Sequence, residues 1–213
     1  MSAPLLKRIE TLEQQRAAIT RPPLTILPNY QLEVHAYGET NRYVNTEVSL
    51  KFHEDRNGVR LLIGPVGCGK SVACCNEIML KAHEQEPGND GIRRSRWAIV
   101  RNTYPQLNIT TIKTWRDWFP PSVFGKLKMD SPPTQVIKIR DIELEILFIA
   151  LDNPDDVAKL KSLELTGVYI NELQYIHYEI FMICSERVNR YPPKKYGAPI
   201  TWSLETMKIR GKA

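Results

Sequence analysis

Residues 61–75 read LLIGPVGCGKSVACC, an apolar run followed by glycines and then by a lysine and a serine. Within this stretch, residues 64–71 fit the phosphate-loop pattern G-x-x-x-x-G-K-[ST]. Glycines let the backbone turn so that successive N–H groups point at phosphate oxygens, while Lys70 reaches the β- and γ-phosphates and the Ser71 hydroxyl ligates Mg²⁺. The predicted phosphate-binding residues are Gly64, Pro65, Val66, Gly67, Cys68, Gly69, Lys70 and Ser71.

The flanking sequence supports this interpretation over a chance glycine turn. Residues 59–63 are predicted as a short buried strand, and residues 71–85 have the composition of a helix. A helix that starts directly after the loop adds the positive end of its dipole to the anion site.

Length and composition indicate a globular protein of ordinary size. The chain has 213 residues, of which 42% are hydrophobic and 25% charged. No apolar stretch approaches the ~18–20 residues that span a membrane, and the start lacks a secretory signal, so we expect a cytoplasmic protein without a membrane partner. The net charge of +5 permits a polyanionic partner without requiring one. The four cysteines, Cys68, Cys74, Cys75 and Cys184, lack the spacing of a metal site and are predicted to be reduced and mostly buried.

Strand and helix patterns alternate along most of the chain. Residues 1–30 are predicted as an amphipathic helix with a proline-rich extended connector, and residues 31–213 as the main domain; residues 31–57 give no clear assignment. Further strands are predicted at 97–100, 166–170 and 199–202, and helices at 106–118 and 178–188. This order predicts an α/β fold with a mainly parallel central sheet flanked by helices.

A β-hairpin is expected as an addition to that sheet. Residues 135–149 alternate in two blocks whose phase changes at Arg140-Asp141. A two-residue turn there would pair Ile139 with Ile142 and keep both blocks on one face. One long strand with a bulge is the alternative. A helix is then predicted to start with Asn153 as its cap and Pro154 at its first position.

An acidic residue follows the predicted strand 166–170. Glu172 would lie at the strand end, where a carboxylate can polarise a water that attacks the γ-phosphate. A solvated glutamate at a strand end is the alternative. Asn171 occupies the position that usually carries a metal-binding aspartate, and an amide can only contact a metal-bound water by hydrogen bonding.

Basic and aromatic residues cluster between residues 93 and 119. Arg101 directly follows the predicted strand 97–100 and is a candidate phosphate contact. A solvated loop is favoured for the three preceding arginines, Arg93, Arg94 and Arg96. The helical spacing of Trp115, Trp118 and Phe119 favours core packing over base stacking.

The chain resembles the N-terminal ATPase domain of phage large terminases, the motors that pump DNA into procapsids. The resemblance covers most of residues 50–206. It is based on four stretches of sequence: GPVGCGKSVACC, RWAIVRNTYPQLNITTIKTWRDWFP, LDNPDDVAKLKSLELTGVYINE and ERVNRYP. It implies a RecA-like P-loop NTPase of the additional-strand catalytic-glutamate type that hydrolyses ATP with Mg²⁺. By resemblance, Lys70 and Glu172 are catalytic and Ser71 and Asn171 lie on the metal side. A strand ending in Asn-Glu is familiar in this family.

The resemblance also implies groups and partners beyond the nucleotide site. Related motors use a trans-acting arginine, for which this chain offers Lys159 and Lys161 before the strand, and Arg187 and Arg190 after it. Thr206 is a candidate coupling residue, although the sequence around it diverges from the family pattern. Implied partners are double-stranded DNA, further copies in a ring on a portal, and a small terminase subunit, all in the host cytoplasm. We expect the nuclease domain of large terminases to be absent from residues 31–213.

Two other classes of function fit the same loop. A small-molecule kinase would need an acceptor pocket and release little phosphate without an acceptor. A nucleotide-binding assembly module would change its oligomeric state without efficient turnover.

Overall fold

A small antiparallel sheet begins the part of the chain that the computed structural model describes, which comprises residues 22–151, 154–196 and 204–210, with the backbone alone for 154–156, 159 and 204–210. Its strands are β1 (Leu24–Leu27), β2 (Gln31–Ala36) and β3 (Glu39–Tyr43). Strand β1 lies within the predicted connector and pairs with β2 across the predicted boundary at residue 30. Residues 1–21, with the predicted N-terminal helix, lie outside the described residues.

Helix α1 (Glu47–Glu54) follows this sheet in the stretch that the sequence left unassigned. Thr46 and Ser49 form a capping box, in which the Ser49 N–H donates to Thr46 Oγ1 at 3.2 Å and the Thr46 N–H donates to Ser49 Oγ at 2.8 Å. The helix therefore begins at a defined residue, and a short connector joins its end to the strand that leads into the phosphate loop.

The main sheet is mixed and has seven strands in its described part, in the order β4-β10-β9-β5-β8-β7-β6. Strands β4, β10, β9, β5 and β8 are mutually parallel, and β7 and β6 add an antiparallel hairpin at one edge. The strand bounds are β4 (Val59–Gly64), β5 (Arg93–Arg101), β6 (Leu127–Lys128), β7 (Thr134–Ile139), β8 (Ile142–Ala150), β9 (Gly167–Asn171) and β10 (Leu204–Arg210). The predicted α/β fold and the pairing of Ile139 with Ile142 are confirmed. Arg140, in the turn, has a φ of 52°.

Helices cover both faces of the sheet. They are α2 (Lys70–Glu84), α3 (Tyr104–Gln106, Leu107–Ile112 and Lys113–Trp118 in succession), α4 (Pro121–Phe124), α5 (Pro154–Lys161) and α6 (Tyr178–Arg187). The middle part of α3 is π-helical. The predicted helices at 71–85, 106–118 and 178–188 are confirmed, as is a helix start at Pro154; its predicted cap, Asn153, lies outside the described residues. None of the described helices is both long and apolar enough to cross a lipid bilayer.

The core has two layers, one on each face of the sheet. On β5, Trp97 and Ile99 join the cluster beneath α2 and α3, whereas Ala98 and Val100 join the cluster beneath α5 and α6. Trp115 and Phe119 are fully buried, as predicted, while Trp118 is half-buried. Cys68 is exposed and the other three cysteines are buried, and none of the four is in a disulfide, as predicted.

Two predictions about the strands are wrong. The strand at 59–63 is not fully buried: β4 lies at the sheet edge, and Val59, Leu61 and Ile63 are between 45% and 56% exposed on one face. Arg93, Arg94 and Arg96 belong to β5 rather than to a loop, because Asp141, Asp90 and Glu145 neutralise them in ion pairs.

The last strand also differs from the prediction. The described strand β10 spans Leu204–Arg210, and the predicted strand at 199–202 lies outside the described residues. Strand β10 lies between β4 and β9 in the sheet.

Candidate functional site

The loop between β4 and α2 has the backbone geometry of an anion site. Gly67 and Gly69 both have a φ of 81°, a left-handed conformation that favours glycine. Gly69 caps α2 without a side-chain hydrogen bond, and the first turn of α2 contains no acidic residue. The first N–H groups of a helix have no partner within it, so this end can bind phosphate oxygens.

Lys70 is folded back onto this loop. Its side chain is buried, and Nζ donates to the carbonyl oxygen of Pro65 and to Cys68 Sγ at 3.2 Å. A Cβ on Gly64 would lie 3.1 Å from the same sulfur and 3.6 Å from the Lys70 side chain. Glycine at this position therefore leaves room chiefly for the Cys68 sulfur, since the distance to the lysine is an ordinary contact.

A cavity of about 440 Å³ lies between the loop and the end of β9. Its lining brings together the loop, the following helix turn, α3 and the strand end: Val66, Gly67, Gly69, Lys70, Ser71, Val72, Thr114 and Glu172. Glu172 takes a left-handed conformation with φ 63° and ψ 58°, and Gln174 Nε2 donates to its carboxylate at 2.7 Å. The cavity thus places an ammonium, a hydroxyl and a carboxylate around one space.

Asn171 is held differently from Glu172. It is 2% exposed, and its Nδ2 donates to Thr111 Oγ1 on α3 at 2.8 Å. Its Oδ1 is buried and has no hydrogen-bond partner among the described residues. Buried acceptors nearly always have a partner, so an orphaned carbonyl oxygen fits a cation or a cation-bound water.

The donor chemistry of two residues suits a Mg²⁺ site of limited strength, although of the two only Ser71 lines the cavity. Ser71 and Asn171 offer neutral oxygen donors, and no group of three or more His, Cys, Asp or Glu side chains that suits a metal occurs in the described part of the chain. Burial also raises the pKa of Tyr169, on the same strand, well above its ordinary value. The end of β9 therefore carries no charge at Tyr169 or Asn171, and the nearest acid is Glu172, directly after the strand.

A second cavity, of about 610 Å³ and mostly apolar, borders the other side of the loop. Five residues of the loop line this cavity: Gly64, Pro65, Cys68, Gly69 and Lys70. The small sheet, α1 and α3 complete its lining, with Tyr43, Val44, Val48, Leu62 and Trp118 among the apolar side chains. The predicted loop residues therefore divide between two adjoining cavities.

Other predicted site residues do not join this arrangement. Arg101 lines neither cavity in the described structure, and its Nε donates to Gln106 Oε1 at 3.3 Å. Lys161 is exposed at the end of α5, where its carbonyl oxygen accepts a hydrogen bond from Arg187. The side chains of Lys159 and Thr206 lie outside the description; Thr206 is in β10, opposite Arg60 and Tyr169.

Two threonines of α3 were missed by the sequence analysis. Thr114 lines the first cavity and Thr111 holds Asn171. The sequence does contain a signal for a role other than helix formation, since the threonines at 110, 111 and 114 are poor helix formers within a predicted helix. Nothing in the sequence, however, says which strand the helix contacts.

Comparison with known proteins identifies a related fold. A structure of the large terminase from a thermophilic bacteriophage superposes with a TM-score of 0.56 at 10% identity, covering 77% of this chain and 38% of that one. Structures of that protein in complex with ATP-γ-S and with ADP each give a TM-score of 0.54 at 11% identity, covering 76% and 77% of this chain.

No protein-family profile and no curated protein sequence matches the chain. The chain spans less than two fifths of the length of the terminase structures it matches. Over about three quarters of its length, this chain has the fold of the matching part of a phage large terminase.

Proposed function

We propose that this chain is the ATPase domain of a viral DNA-packaging motor, a terminase large subunit that hydrolyses ATP to move DNA into procapsids. The observation that carries the proposal is the single cavity that Lys70, Ser71 and Glu172 line together. A phosphate loop alone binds nucleotide, whereas a carboxylate facing the same space supplies the group that hydrolysis needs.

Each group has a defined role in this proposal. The loop N–H groups and Lys70 bind the phosphates and neutralise their charge, and Glu172 orients a water for in-line attack. Mg²⁺, held by Ser71 and through Asn171, would neutralise charge on the β- and γ-phosphate oxygens. The fixed positions of the loop and the strand end leave little reorganisation for the reacting groups.

The apolar cavity on the other side of the loop suits the nucleotide base. Its volume of about 610 Å³ exceeds what a purine needs, and Tyr43 and Trp118 offer aromatic surface. We assign the phosphates to the first cavity and the base to the second, because both adjoin Gly69 and Lys70.

The sheet order supports the additional-strand catalytic-glutamate class of P-loop NTPases. Strand β10 lies between β4, which leads into the phosphate loop, and β9, which ends beside Glu172. We assign the chain to this class on that order, and propose double-stranded DNA, further copies of the chain in a portal-bound ring, and a small terminase subunit as partners. A basic group of a neighbouring copy would then complete the charge around the γ-phosphate.

Two substitutions test the proposal. Glu172→Gln should retain ATP binding and lower phosphate release by about 100-fold or more, since it removes the group that polarises water. Lys70→Ala should weaken ATP binding by about tenfold or more, because it removes a charged hydrogen-bond donor. Equilibrium binding of a fluorescent ATP analogue and phosphate release are the measurements.

Glu179→Gln and Lys138→Ala are the matched controls, because both change an exposed residue outside the two cavities. Unchanged turnover in Glu172→Gln would contradict its role. Turnover that appears only with a small-molecule acceptor would favour a kinase, and ATP-dependent sedimentation without turnover would favour an assembly module.

A further inference from the structure

The contact between Asn171 and Thr111 connects the strand that ends at the candidate nucleotide site to the middle of helix α3. The two residues are 60 positions apart in the chain, and each is 2% exposed. Their hydrogen bond, 2.8 Å from Nδ2 to Oγ1, is therefore shielded from water. A shielded hydrogen bond holds a side chain in place more firmly than one that water can replace.

This contact decides which end of the amide is available to a ligand. An asparagine side chain has a donor end and an acceptor end that differ little in shape. With Nδ2 bound to Thr111, the acceptor Oδ1 is the end left over, and it has no partner among the described residues. A cation requires an acceptor, so the reverse orientation would present N–H groups to it and weaken binding.

The helix geometry supports a functional role for this part of α3. Thr111 belongs to the π-helical part Leu107–Ile112, and Thr114, three residues later, lines the cavity that contains Glu172. Short π-helical stretches within α-helices occur frequently at functional sites. The same helix thus contacts Asn171 with one hydroxyl and borders the cavity with another.

We propose that Thr111 is a positioning residue of the nucleotide site, which orients Asn171 so that its carbonyl oxygen faces Mg²⁺ or a water bound to it. The inference rests on the proposed nucleotide site and adds to it a reason why asparagine works at a position that usually holds aspartate. A carboxylate has two equivalent oxygens and needs no such orientation, whereas an amide does.

The test measures how much Mg²⁺ strengthens nucleotide binding. The dissociation constant of a fluorescent ATP analogue is determined with Mg²⁺ and with EDTA, for the unchanged chain and for Thr111→Val. Valine has the shape of threonine without the hydroxyl, so the Mg²⁺-dependent gain in affinity should fall by about tenfold while binding in EDTA is retained. Thr111→Ser should recover most of the gain, and Thr40→Val, at an exposed threonine of β3 outside both cavities, is the matched control.

Asparagine-to-aspartate substitution separates positioning from a merely structural role. In an Asn171→Asp background, Thr111→Val should cost much less of the Mg²⁺-dependent gain, since either carboxylate oxygen can serve. An equal loss in both backgrounds, or an equal weakening with and without Mg²⁺, would overturn the inference.

A failure of the proposed function gives a different result from a failure of this inference. The unchanged chain would then bind no nucleotide, or Lys70→Ala would leave nucleotide binding unchanged.

A measurement on the unchanged chain covers the case in which Thr111→Val does not fold. The side-chain NH₂ signals of Asn171, assigned by their loss in Asn171→Asp, should exchange slowly with water in NMR spectra. Rapid exchange would refute the hydrogen bond on which the inference depends.

Discussion

Glu172 occupies a backbone conformation that few non-glycine residues adopt. Its φ of 63° and ψ of 58° lie in the left-handed region, at the point where β9 ends and a short 3₁₀ turn begins. Such conformations cost of order 1–3 kcal/mol and occur where the surrounding structure imposes them, often at functional sites. Here the unusual turn sets the carboxylate against the cavity that contains Lys70.

Val48 offers a single-residue test of the apolar cavity. It lies on α1, is 61% exposed and borders the cavity. Val48→Trp should fill part of the space assigned to the base and weaken ATP binding by about tenfold, leaving inorganic triphosphate binding unchanged because the loop is untouched. Competition of both ligands with a fluorescent ATP analogue measures the difference.

Met129→Trp, on a distant exposed position, controls for the added indole. Equal weakening of ATP and triphosphate would indicate a disturbed loop rather than a filled base cavity.

Helix α2 is anchored by charges as well as by apolar packing. Glu77 is fully buried, and its two oxygens contact His53 Nδ1 of α1 at 2.5 Å and an Arg60 nitrogen of β4 at 2.6 Å. His53 Nε2 and the Tyr43 hydroxyl of β3 are 2.8 Å apart. One carboxylate thus connects the phosphate-loop helix, the preceding strand, helix α1 and the small sheet.

Removing that carboxylate should be costly. Glu77→Gln leaves Arg60 buried without its anion, so the free energy of unfolding should fall by about 3–5 kcal/mol in urea titrations. Glu47→Gln, which removes an exposed acid paired with Lys51 on helix α1, should cost much less. Similar losses in the two variants would contradict an essential role for the buried cluster.

The elements also show where sequence reasoning succeeds and where it fails. The phosphate loop and the hairpin were predictable because glycine spacing and a change of alternation act locally. Strand β3 was not, since its first four residues, Glu39, Thr40, Asn41 and Arg42, are exposed and carry no apolar pattern. Arg93 and Arg96 were assigned to a loop because their acidic partners, Asp141 in the hairpin turn and Glu145 in β8, lie 48 or 49 residues further along the chain.

Residues of the candidate site divide in the same way. Lys70 and Ser71 belong to a local motif, and Glu172 followed from the strand pattern, so their proximity could be anticipated. Thr111 and Thr114 join the site through the packing of α3 against β9, a contact between segments about 60 residues apart. Such contacts depend on the assembled sheet rather than on any short pattern.

Across the whole molecule, ion pairs around β5 should make stability depend on pH. Arg94 lowers the pKa of Asp90 from 3.8 to about 2, and Arg93 lowers the pKa of Asp141. Carboxyls with a lower pKa in the folded chain stabilise it above their unfolded pKa, and this contribution is lost as pH falls through the folded pKa. The melting temperature should therefore be flat above about pH 5 and fall between about pH 4 and 2.

Arg94→Gln isolates one of these pairs. Its melting temperature should lie below that of the unchanged chain at pH 7 and approach it near pH 2, where Asp90 is protonated in both. A constant difference across the range would show that Arg94 stabilises the fold through other contacts, such as its position over the Tyr196 ring.

The position of β10 has a consequence for the order in which the protein matures. Strand β4 carries the phosphate loop, yet its neighbour within the described sheet is β10, which the ribosome adds about 140 residues later. Until residues 204–210 leave the exit tunnel, the loop strand has no neighbouring strand of the described sheet to pair with, and only the packing of α2 on β5 links it to the Glu172 strand. A nascent chain should consequently be unable to retain ATP until its synthesis has passed that segment.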